Sequence, residues 1–161
     1  ASTVITAGPA SAAQVARGTT VSDSDGARRA TLLFQPGTSA TLRFPEGQAS
    51  AVASLTVRAT EYTVGAAGPK AMPATLPPTS AYTYAVELSA DEVEAAGAVA
   101  LELSQPLPVY LENFLGFPVG TVVPAGYYDF EKHLWIPEKN GAVIKIHIHP
   151  HWSGCSIVPA R

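Results

Sequence analysis

Short runs of β-branched, aromatic and aliphatic residues recur along the chain, separated by clusters of glycine, proline, aspartate and asparagine. This alternation is typical of strands joined by turns, because branched and aromatic side chains favour extended backbone and glycine and proline interrupt it. The runs are TTVSD, RATLLF, SATLRF, SLTVRATEYTV, AYTYAVEL, AVALELS, PVYLENF, HLWIP and AVIKIHIH. They predict an all-β fold, a Greek-key-like β-sandwich in which residues 68–80, with four prolines, form the long irregular crossover.

The length of 161 residues favours a single domain with a sizeable core. Residues 1–18 are small and almost uncharged, which predicts a flexible segment or an edge strand. Residues 19–149 contain the strand-like runs and form the predicted β-sandwich domain. Residues 150–161 are predicted to be an irregular C-terminal tail, because Pro150 ends the last strand ladder.

One short connecting helix is predicted after the sequence YTYAVEL. Ser89 and Glu92 match the reciprocal capping pattern S-x-x-E at a helix start. Gly97 follows the helix-forming stretch ADEVEAA and provides a stop signal. The expected element is a helix of about two turns between two strands.

A two-residue turn is predicted at Asn140 and Gly141, because this dipeptide strongly favours a type I′ hairpin between HLWIPEK and AVIKIHIH. The resulting register pairs Leu134 with His147. It also places His147 and His149 on the outward side of the last strand, since alternate residues of a strand point to opposite faces.

The charge balance indicates neither a nucleic-acid partner nor a membrane partner. The formal net charge is -3, and the ten lysines and arginines are scattered instead of forming a basic patch. No apolar run approaches the ~18 to 20 residues that a membrane-spanning helix needs, so a soluble chain is expected. Cys155 is the only cysteine, which excludes an intrachain disulfide, and a single cysteine does not indicate a redox compartment.

Two long stretches resemble bacterial RHS-repeat (YD-repeat) proteins. They are RATEYTVGAAGPKAMPATLPPTSAYTYAVELSADE, residues 58–92, and PVYLENFLGFPVGTVVPAGYYD, residues 108–129. The phrase MPATLPPTSAYTYAVELS is the most specific part of a likeness that runs from about residue 19 to residue 146. The chain looks like the β-rich segment that precedes the repeat array of these proteins.

The resemblance implies a structural role and a bacterial origin. Proteins of this family are large and secreted or associated with the cell surface, and they build a β-shell around a toxin or effector. The upstream β-domains support or plug that shell, and no catalytic residues are assigned to them. The tail HIHPHWSGCSIVPAR departs from the family from His147 onward, so the likeness carries no role for its residues.

Three of the four histidines, His147, His149 and His151, fall within five residues. Two histidines at i and i+2 on a strand share a face with Cα atoms ~6.5 to 7 Å apart, so both imidazoles can reach one Zn²⁺ ion. His151 can swing to the same side beyond Pro150 as a third ligand. The pattern predicts a site for Zn²⁺ or another divalent transition metal.

Three protein ligands leave one position for water, as in catalytic zinc sites, and metal-bound water is a nucleophile near neutral pH. Cys155 is the candidate fourth ligand, and its participation would make the site structural instead. Asp129, Glu131 and Glu138 are near in sequence, but none is placed as a general base. The alternative interpretation is that these histidines are ordinary solvent-facing residues of a strand and bind no metal.

Two further stretches have residue patterns that bear on binding. Asp23, Asp25 and Gly26 begin like a calcium loop but lack its later ligands, so they predict a hairpin turn. The apolar stretch NFLGFPVGTVVP, residues 113–124, favours self-association if exposed, and predicts a homo-oligomer, most simply a dimer.

Two functional hypotheses follow from the sequence. The first is a small metal-dependent hydrolase of activated esters or phosphoesters, with metal-bound water as nucleophile. The alternative is a non-catalytic structural or partner-binding module of an RHS-type secreted protein.

Overall fold

The structure, a computed structural model, describes residues 1–65, 68–74 and 84–146. The chain divides into two compact units. The first comprises Ala1–Met72 and Pro77–Phe114, and the second comprises Pro73–Leu76 and Leu115–Arg161. Each unit is described separately below. The predicted metal ligands His147, His149, His151 and Cys155 lie outside the described residues.

The prediction of an all-β fold is confirmed, since strands predominate in the described residues and both helices are short. The strands of the first unit are β1 (Ser2–Thr6), β2 (Gln14–Arg17), β3 (Val21–Asp23), β4 (Gly26–Arg28), β5 (Ala30–Phe34), β6 (Ala40–Arg43), β7 (Ala49–Val52), β8 (Ser54–Glu61), β9 (Val86–Ala90), β10 (Ala100–Leu103) and β11 (Val109–Leu111). The helices are α1 (Gly68–Ala71) and α2 (Asp91–Ala96). The second unit contains β12 (Val122–Asp129) and β13 (Leu134–Ala142).

The first unit contains three antiparallel sheets of three strands, in the orders β1-β8-β9, β10-β6-β7 and β11-β5-β2. Each order joins strands far apart in sequence, as Greek-key connections do. The N-terminal segment provides β1 and β2, and each is an edge strand of its sheet.

The core of the first unit is formed by alternate residues of strands from all three sheets. In β5 the buried positions are Ala30, Leu32 and Phe34, and β8 buries Leu55 and Val57 in the same way. The other buried members of this core are Ile5, Ala16, Ala40, Ala59 and Ala90. A period of two in burial is expected where one face of a sheet packs and the other meets water.

The predicted helix is confirmed as α2, but its predicted cap is wrong. Gly97 ends the helix in the left-handed conformation, with φ 66° and ψ 28°. Ser89 lies inside β9, and Ala90 precedes the helix without a side-chain cap. Glu92 instead accepts the Thr56 backbone N–H at 2.8 and 2.9 Å, because β8 pairs with β9 and brings that donor to the helix.

The hairpin predicted at Asp23 and Gly26 is confirmed. These residues face each other at the end of β3 and β4, and the two residues between them form the turn. The Asp23 carboxylate accepts the Asp25 backbone N–H at 2.9 Å, as aspartate commonly does in turns.

The turn predicted at Asn140 and Gly141 is wrong, because both residues lie within β13. β13 pairs with the preceding strand β12, and the chain reverses at residues 130–133. Asp129 accepts the backbone N–H groups of Glu131 and Lys132 at 3.0 and 2.9 Å in this turn. The predicted pairing of Leu134 with His147 is therefore also wrong, since Leu134 faces Asp129.

A β-bulge explains the position of the Asn-Gly dipeptide. Val123 pairs with Gly141 and Ala125 with Glu138, so only Pro124 lies opposite Lys139 and Asn140. Proline has no N–H to donate to the ladder, and such positions favour bulges.

No helix in the described part of the chain is long and apolar enough to cross a membrane.

Candidate functional site

Within residues 1–65, 68–74 and 84–146, no group of three or more histidine, cysteine, aspartate or glutamate side chains is arranged to hold a metal ion. The predicted site of His147, His149, His151 and Cys155 stays a prediction. His133, the fourth histidine, lies in the turn between β12 and β13 with a positive φ of 53°. The described residues contain two other features with functional potential, a buried charged cluster and an exposed aromatic surface.

The charged cluster is centred on Arg28 at the end of β4, whose side chain is only 3% exposed. Its guanidinium donates to both Asp23 carboxylate oxygens, at 2.8 and 2.7 Å, and to Glu61 Oε1 at 3.2 Å. Two further donations reach the Gly26 carbonyl and Thr63 Oγ1, each at 3.3 Å. These five bonds match the five N–H donors of arginine, so the guanidinium is saturated and has no donor left for an anionic ligand.

The cluster joins three separate segments of the first unit. Arg28 and Asp23 come from the β3–β4 hairpin, and Glu61 ends β8. The guanidinium also lies 4.4 Å from the centre of the Phe114 ring, a cation–π contact after β11. Because burial of a charge is costly unless it is paired, this arrangement fixes the hairpin against β8 and Phe114.

Glu61 is the least compensated member of the cluster. Its side chain is 4% exposed, and Thr63 and Arg28 both donate to its Oε1 atom. In the part of the chain that the structure describes, its Oε2 atom is buried without a hydrogen-bond partner. Removal of Arg28 would therefore leave a nearly bare buried carboxylate.

The electrostatics of the cluster follow from these contacts. Hydrogen bonds from Arg28 lower the pKa of Asp23 to about 2, although partial burial acts in the opposite direction. The hydrogen bonds to Asp23 raise the pKa of Arg28 above its usual range. Burial raises the pKa of the Tyr84 phenol to about 12, and the negative charge of Glu61 adds to this effect. Asp23 and Arg28 therefore stay charged, and Tyr84 stays neutral, at physiological pH.

The second feature is the β12–β13 ribbon, the two-stranded sheet of residues 122–142. Its register assigns each side chain to one of two faces, because paired residues share a face and neighbours alternate. The face that we call the charged face contains Val123, Ala125, Tyr127, Asp129, Leu134, Ile136, Glu138 and Gly141. The face that we call the aromatic face contains Val122, Pro124, Gly126, Tyr128, Trp135, Pro137 and Ala142.

None of the seven residues assigned to the aromatic face is charged, but Lys139 and Asn140 lie opposite Pro124 of this face at the bulge. The Tyr128 ring packs edge-on against Trp135, with ring centres 5.4 Å apart, and against Phe130 of the turn, at 5.1 Å. Phe130 is 71% exposed and Val122 is 61% exposed. Phe130 and Val122 are therefore open to solvent, whereas Tyr128 and Trp135 are half-buried and form an aromatic cluster at the turn end.

Exposed apolar side chains are concentrated in and around this ribbon. Residues 115–146 provide nine of the fifteen exposed large hydrophobic residues of the described chain. They are Leu115, Phe117, Val119, Val122, Tyr127, Phe130, Leu134, Ile144 and Ile146. Such a concentration of exposed apolar side chains makes residues 115–146 a candidate association surface.

Sequence reasoning missed both features, but part of each could have been found. Once the turn at residues 24–25 is recognised, alternation places Asp23 and Arg28 on one face of the hairpin, within reach of each other. The contributions of Glu61 and Phe114 come from distant segments and have no local signal. The aromatic face depends on the pairing of β12 with β13, which the Asn-Gly dipeptide obscured.

Comparison of the chain with protein-family models, curated proteins and solved structures finds no match.

Proposed function

We propose that this protein is a non-catalytic structural or partner-binding module of an RHS-type secreted bacterial protein, and that the β12–β13 ribbon is its association surface. The observation that carries the proposal is the concentration of exposed apolar side chains in residues 115–146. The resemblance of residues 19–146 to the segment that precedes an RHS repeat array supports the same role.

The ribbon has the properties of a surface that is buried in a complex. Its backbone is already paired as two antiparallel strands, so little backbone entropy is lost when its apolar side chains are covered. The aromatic residues Tyr128, Phe130 and Trp135 are of the types that contribute most at protein interfaces. Asp129, which closes the turn, keeps this cluster in one arrangement through its bonds to Glu131 and Lys132.

The test is binding to a separately expressed RHS repeat shell. The wild-type chain should co-elute with the shell in size-exclusion chromatography. The double variant Phe130→Glu/Leu134→Lys, with one charge on each side of the ribbon, should weaken that complex at least about tenfold, because a charge must then lose its water on binding.

The matched control is Val99→Lys, which places a charge at a residue of the first unit that is 64% exposed. This variant should bind the shell like wild type. The absence of a shell complex for the wild-type chain, or equal binding by the double variant, would contradict the proposed function.

A second proposal is that His147, His149 and His151 bind Zn²⁺ or another divalent transition metal, with hydrolysis of activated esters or phosphoesters by metal-bound water. The specific observation is the spacing of three histidines within five residues of a chain that has four. Cys155, four residues after His151, is the candidate fourth ligand that would close the site and make it structural.

Metal content of tag-free protein tests this second proposal. Inductively coupled plasma mass spectrometry should find about one zinc per chain, and His147→Ala/His149→Ala should lose it, because one imidazole alone binds weakly. Chelation should abolish any hydrolysis of an activated ester. His133→Asn is the control, since asparagine tolerates the positive φ of this turn residue. Metal-free wild-type protein, or equal zinc in all variants, would refute the site.

A further inference from the structure

We infer that β7 (Ala49–Val52) pairs with β7 of a second copy of this chain, antiparallel about a two-fold axis at Ser50, so that two three-stranded sheets join into one sheet of six strands. This contact lies in the first unit and is separate from the association surface proposed above. Three properties of β7 support it: an unprotected edge, outward backbone groups and self-compatible side chains.

β7 is an outer strand that nothing in its own sequence protects from pairing. It is the last strand in the order β10-β6-β7 and pairs with β6 alone. Residues 48–54, which include β7, contain neither proline nor a charged residue, and Ala49, Ser50 and Ala51 are exposed. Charged residues and proline are the devices by which edge strands resist pairing with another chain. β7 is therefore an edge that is open to an added strand.

The other outer strands of the three-stranded sheets have such protection. Three of them contain a charged residue: Glu87 in β9, Glu102 in β10 and Arg17 in β2. β11 lies between Pro108 and Glu112. In β1 the Gln14 side chain bonds to both the backbone N–H and the carbonyl of Thr6, at 2.8 and 2.7 Å. β7 thus differs from the other outer strands of these sheets.

The backbone groups that β7 turns away from β6 belong to Ala49 and Ala51. Phe44 donates its N–H to the Gln48 carbonyl at 3.0 Å, and bonded and non-bonded pairs alternate along an antiparallel ladder. The Arg43 carbonyl, opposite Ala49, instead faces β10 and accepts a backbone N–H at 2.8 Å. Two N–H and two C=O groups of β7 therefore point away from its sheet, and no hydrogen bond from another described residue reaches them.

The backbone groups on either side of β7 are already bonded, and this fixes the register of the contact. The turn at one end uses the Gly47 N–H, and the Ala53 carbonyl at the other end accepts a backbone N–H at 2.9 Å. An antiparallel partner satisfies all four outward groups within the strand only when Ala49 of each copy pairs with Ala51 of the other. The two-fold axis then passes between the two Ser50 residues, as an isologous contact requires.

The side chains along this contact suit a second copy. Alanine faces alanine, and the two Ser50 hydroxyls face each other across the axis, where serine pairs are favourable. Arg43 of β6 is already paired with Glu102 at 2.6 Å, and the arginines of the two copies are three strand spacings, roughly 14 Å, apart. The two Glu46 residues of the turns are eight residues, roughly 27 Å, apart along the strands. No like charges therefore oppose the contact.

The size of the contact predicts a weak dimer. β7 has four residues, so two copies bury well below the ~800 Å² per partner of standard interfaces. A dissociation constant on the order of 100 μM is expected.

Sedimentation equilibrium of the full chain between about 10 μM and about 1 mM tests the inference. The mass should rise from 16.7 kDa toward twice that value as concentration increases. Ala51→Pro should weaken self-association at least about tenfold, because it removes an outward N–H. The fold should be retained, since an edge strand tolerates proline where its N–H faces solvent, and circular dichroism checks this. Val4→Lys is the control, a charge at a residue of β1 that is 67% exposed, and it should dimerise like wild type.

Cysteine cross-linking tests the position of the axis. In a Cys155→Ser background, Ser50→Cys places two thiols across the axis in a non-hydrogen-bonded pair with Cα atoms ~4.5 Å apart, within the range of a disulfide. Ala49→Cys is the matched control, because its Cα atoms would be roughly 9 Å apart, beyond the ~7 Å limit. With oxidised glutathione, Ser50→Cys should form covalent dimers at least about tenfold faster than Ala49→Cys, as measured by non-reducing electrophoresis.

Three results would overturn the inference: monomeric wild type at about 1 mM, self-association that Ala51→Pro leaves unchanged, or equal cross-linking of Ser50→Cys and Ala49→Cys. Binding to the repeat shell is measured separately and involves the other unit, so failure here leaves the proposed function standing.

Discussion

Replacement of Arg28 by methionine is expected to lower the free energy of unfolding by about 3 kcal/mol. Methionine keeps much of the side-chain volume but removes the one cation that pairs with Glu61, which is 4% exposed, among the described residues. Breaking a buried ion pair by removal of one member typically costs ~3 to 5 kcal/mol. We expect the lower end of this range because the other partner, Asp23, is 30% exposed, so water can solvate its carboxylate once Arg28 is removed. Urea denaturation monitored by circular dichroism measures the loss.

The neighbouring arginine provides the control. Arg29 is 39% exposed and pairs with Glu112, which is 47% exposed, at 3.5 Å. Exposed ion pairs contribute ~0 to 1 kcal/mol, so Arg29→Met should change stability little. The double variant Arg28→Met/Glu61→Met should recover part of the loss, because apolar groups of similar volume can replace a buried pair. Equal stability of Arg28→Met and Arg29→Met would show that the cluster does not tie the hairpin to β8.

The ion pair between Asp23 and Arg28 makes the stability of the protein depend on pH in the acid range. The pKa of Asp23 is lowered to about 2 in the folded protein, whereas an unfolded aspartate titrates near ~3.9. Its contribution to stability is therefore fully present above about pH 4 and is lost as the pH falls toward 2. The difference in stability between wild type and Arg28→Met should narrow across this window. A difference that stays constant down to pH 2 would contradict the assigned pairing.

Replacement of Leu55 by alanine is expected to destabilise the protein by about 3 kcal/mol. Leu55 has no solvent exposure and packs in the core cluster of the first unit. Truncation of a fully buried leucine removes its transfer free energy and leaves a cavity, which together cost ~2 to 5 kcal/mol. Thermal and urea unfolding both report this change. For a total stability of ~5 to 15 kcal/mol the loss is large.

Leu88→Ala is the matched control in the same sheet. Leu88 lies in β9, which pairs with β8, but it is 43% exposed and outside the core cluster. Its truncation should cost under about 1 kcal/mol, since water already contacts much of the side chain. Similar losses of stability for the two variants would mean that the alternate buried residues of β5 and β8 do not form the core.

The comparison of sequence and structure separates local signals from long-range ones. The turn at Asp23 to Gly26 and the left-handed stop at Gly97 were predictable, because each depends on the conformational preferences of a few adjacent residues. The predicted N-cap at Ser89 is wrong, although its sequence pattern is equally local. Ser89 is instead paired within β9, and Glu92 accepts a hydrogen bond from a backbone N–H of β8.

The Asn-Gly dipeptide shows how tertiary pairing overrides a strong turn signal. Asn140 and Gly141 favour a type I′ turn when the flanking residues have no better partner. β12 pairs with β13 at seven positions, and Pro124 lies opposite both Lys139 and Asn140, so the extra residue forms a bulge. The local turn preference of the dipeptide does not outweigh the hydrogen bonds and side-chain packing of the paired strands.

The sequence by itself determined the all-β class, the connecting helix α2 with its glycine stop, the first hairpin, and the collection of three histidines in the tail. These features depend on side-chain alternation and on the backbone preferences of neighbouring residues. Only the tertiary structure decided which strands pair, that Arg28 meets Glu61 and Phe114, and that the rings of Tyr128, Phe130 and Trp135 pack together. The physical reason is that pairing between distant strands is selected by the total burial and hydrogen bonding of the folded chain, which no short segment encodes alone.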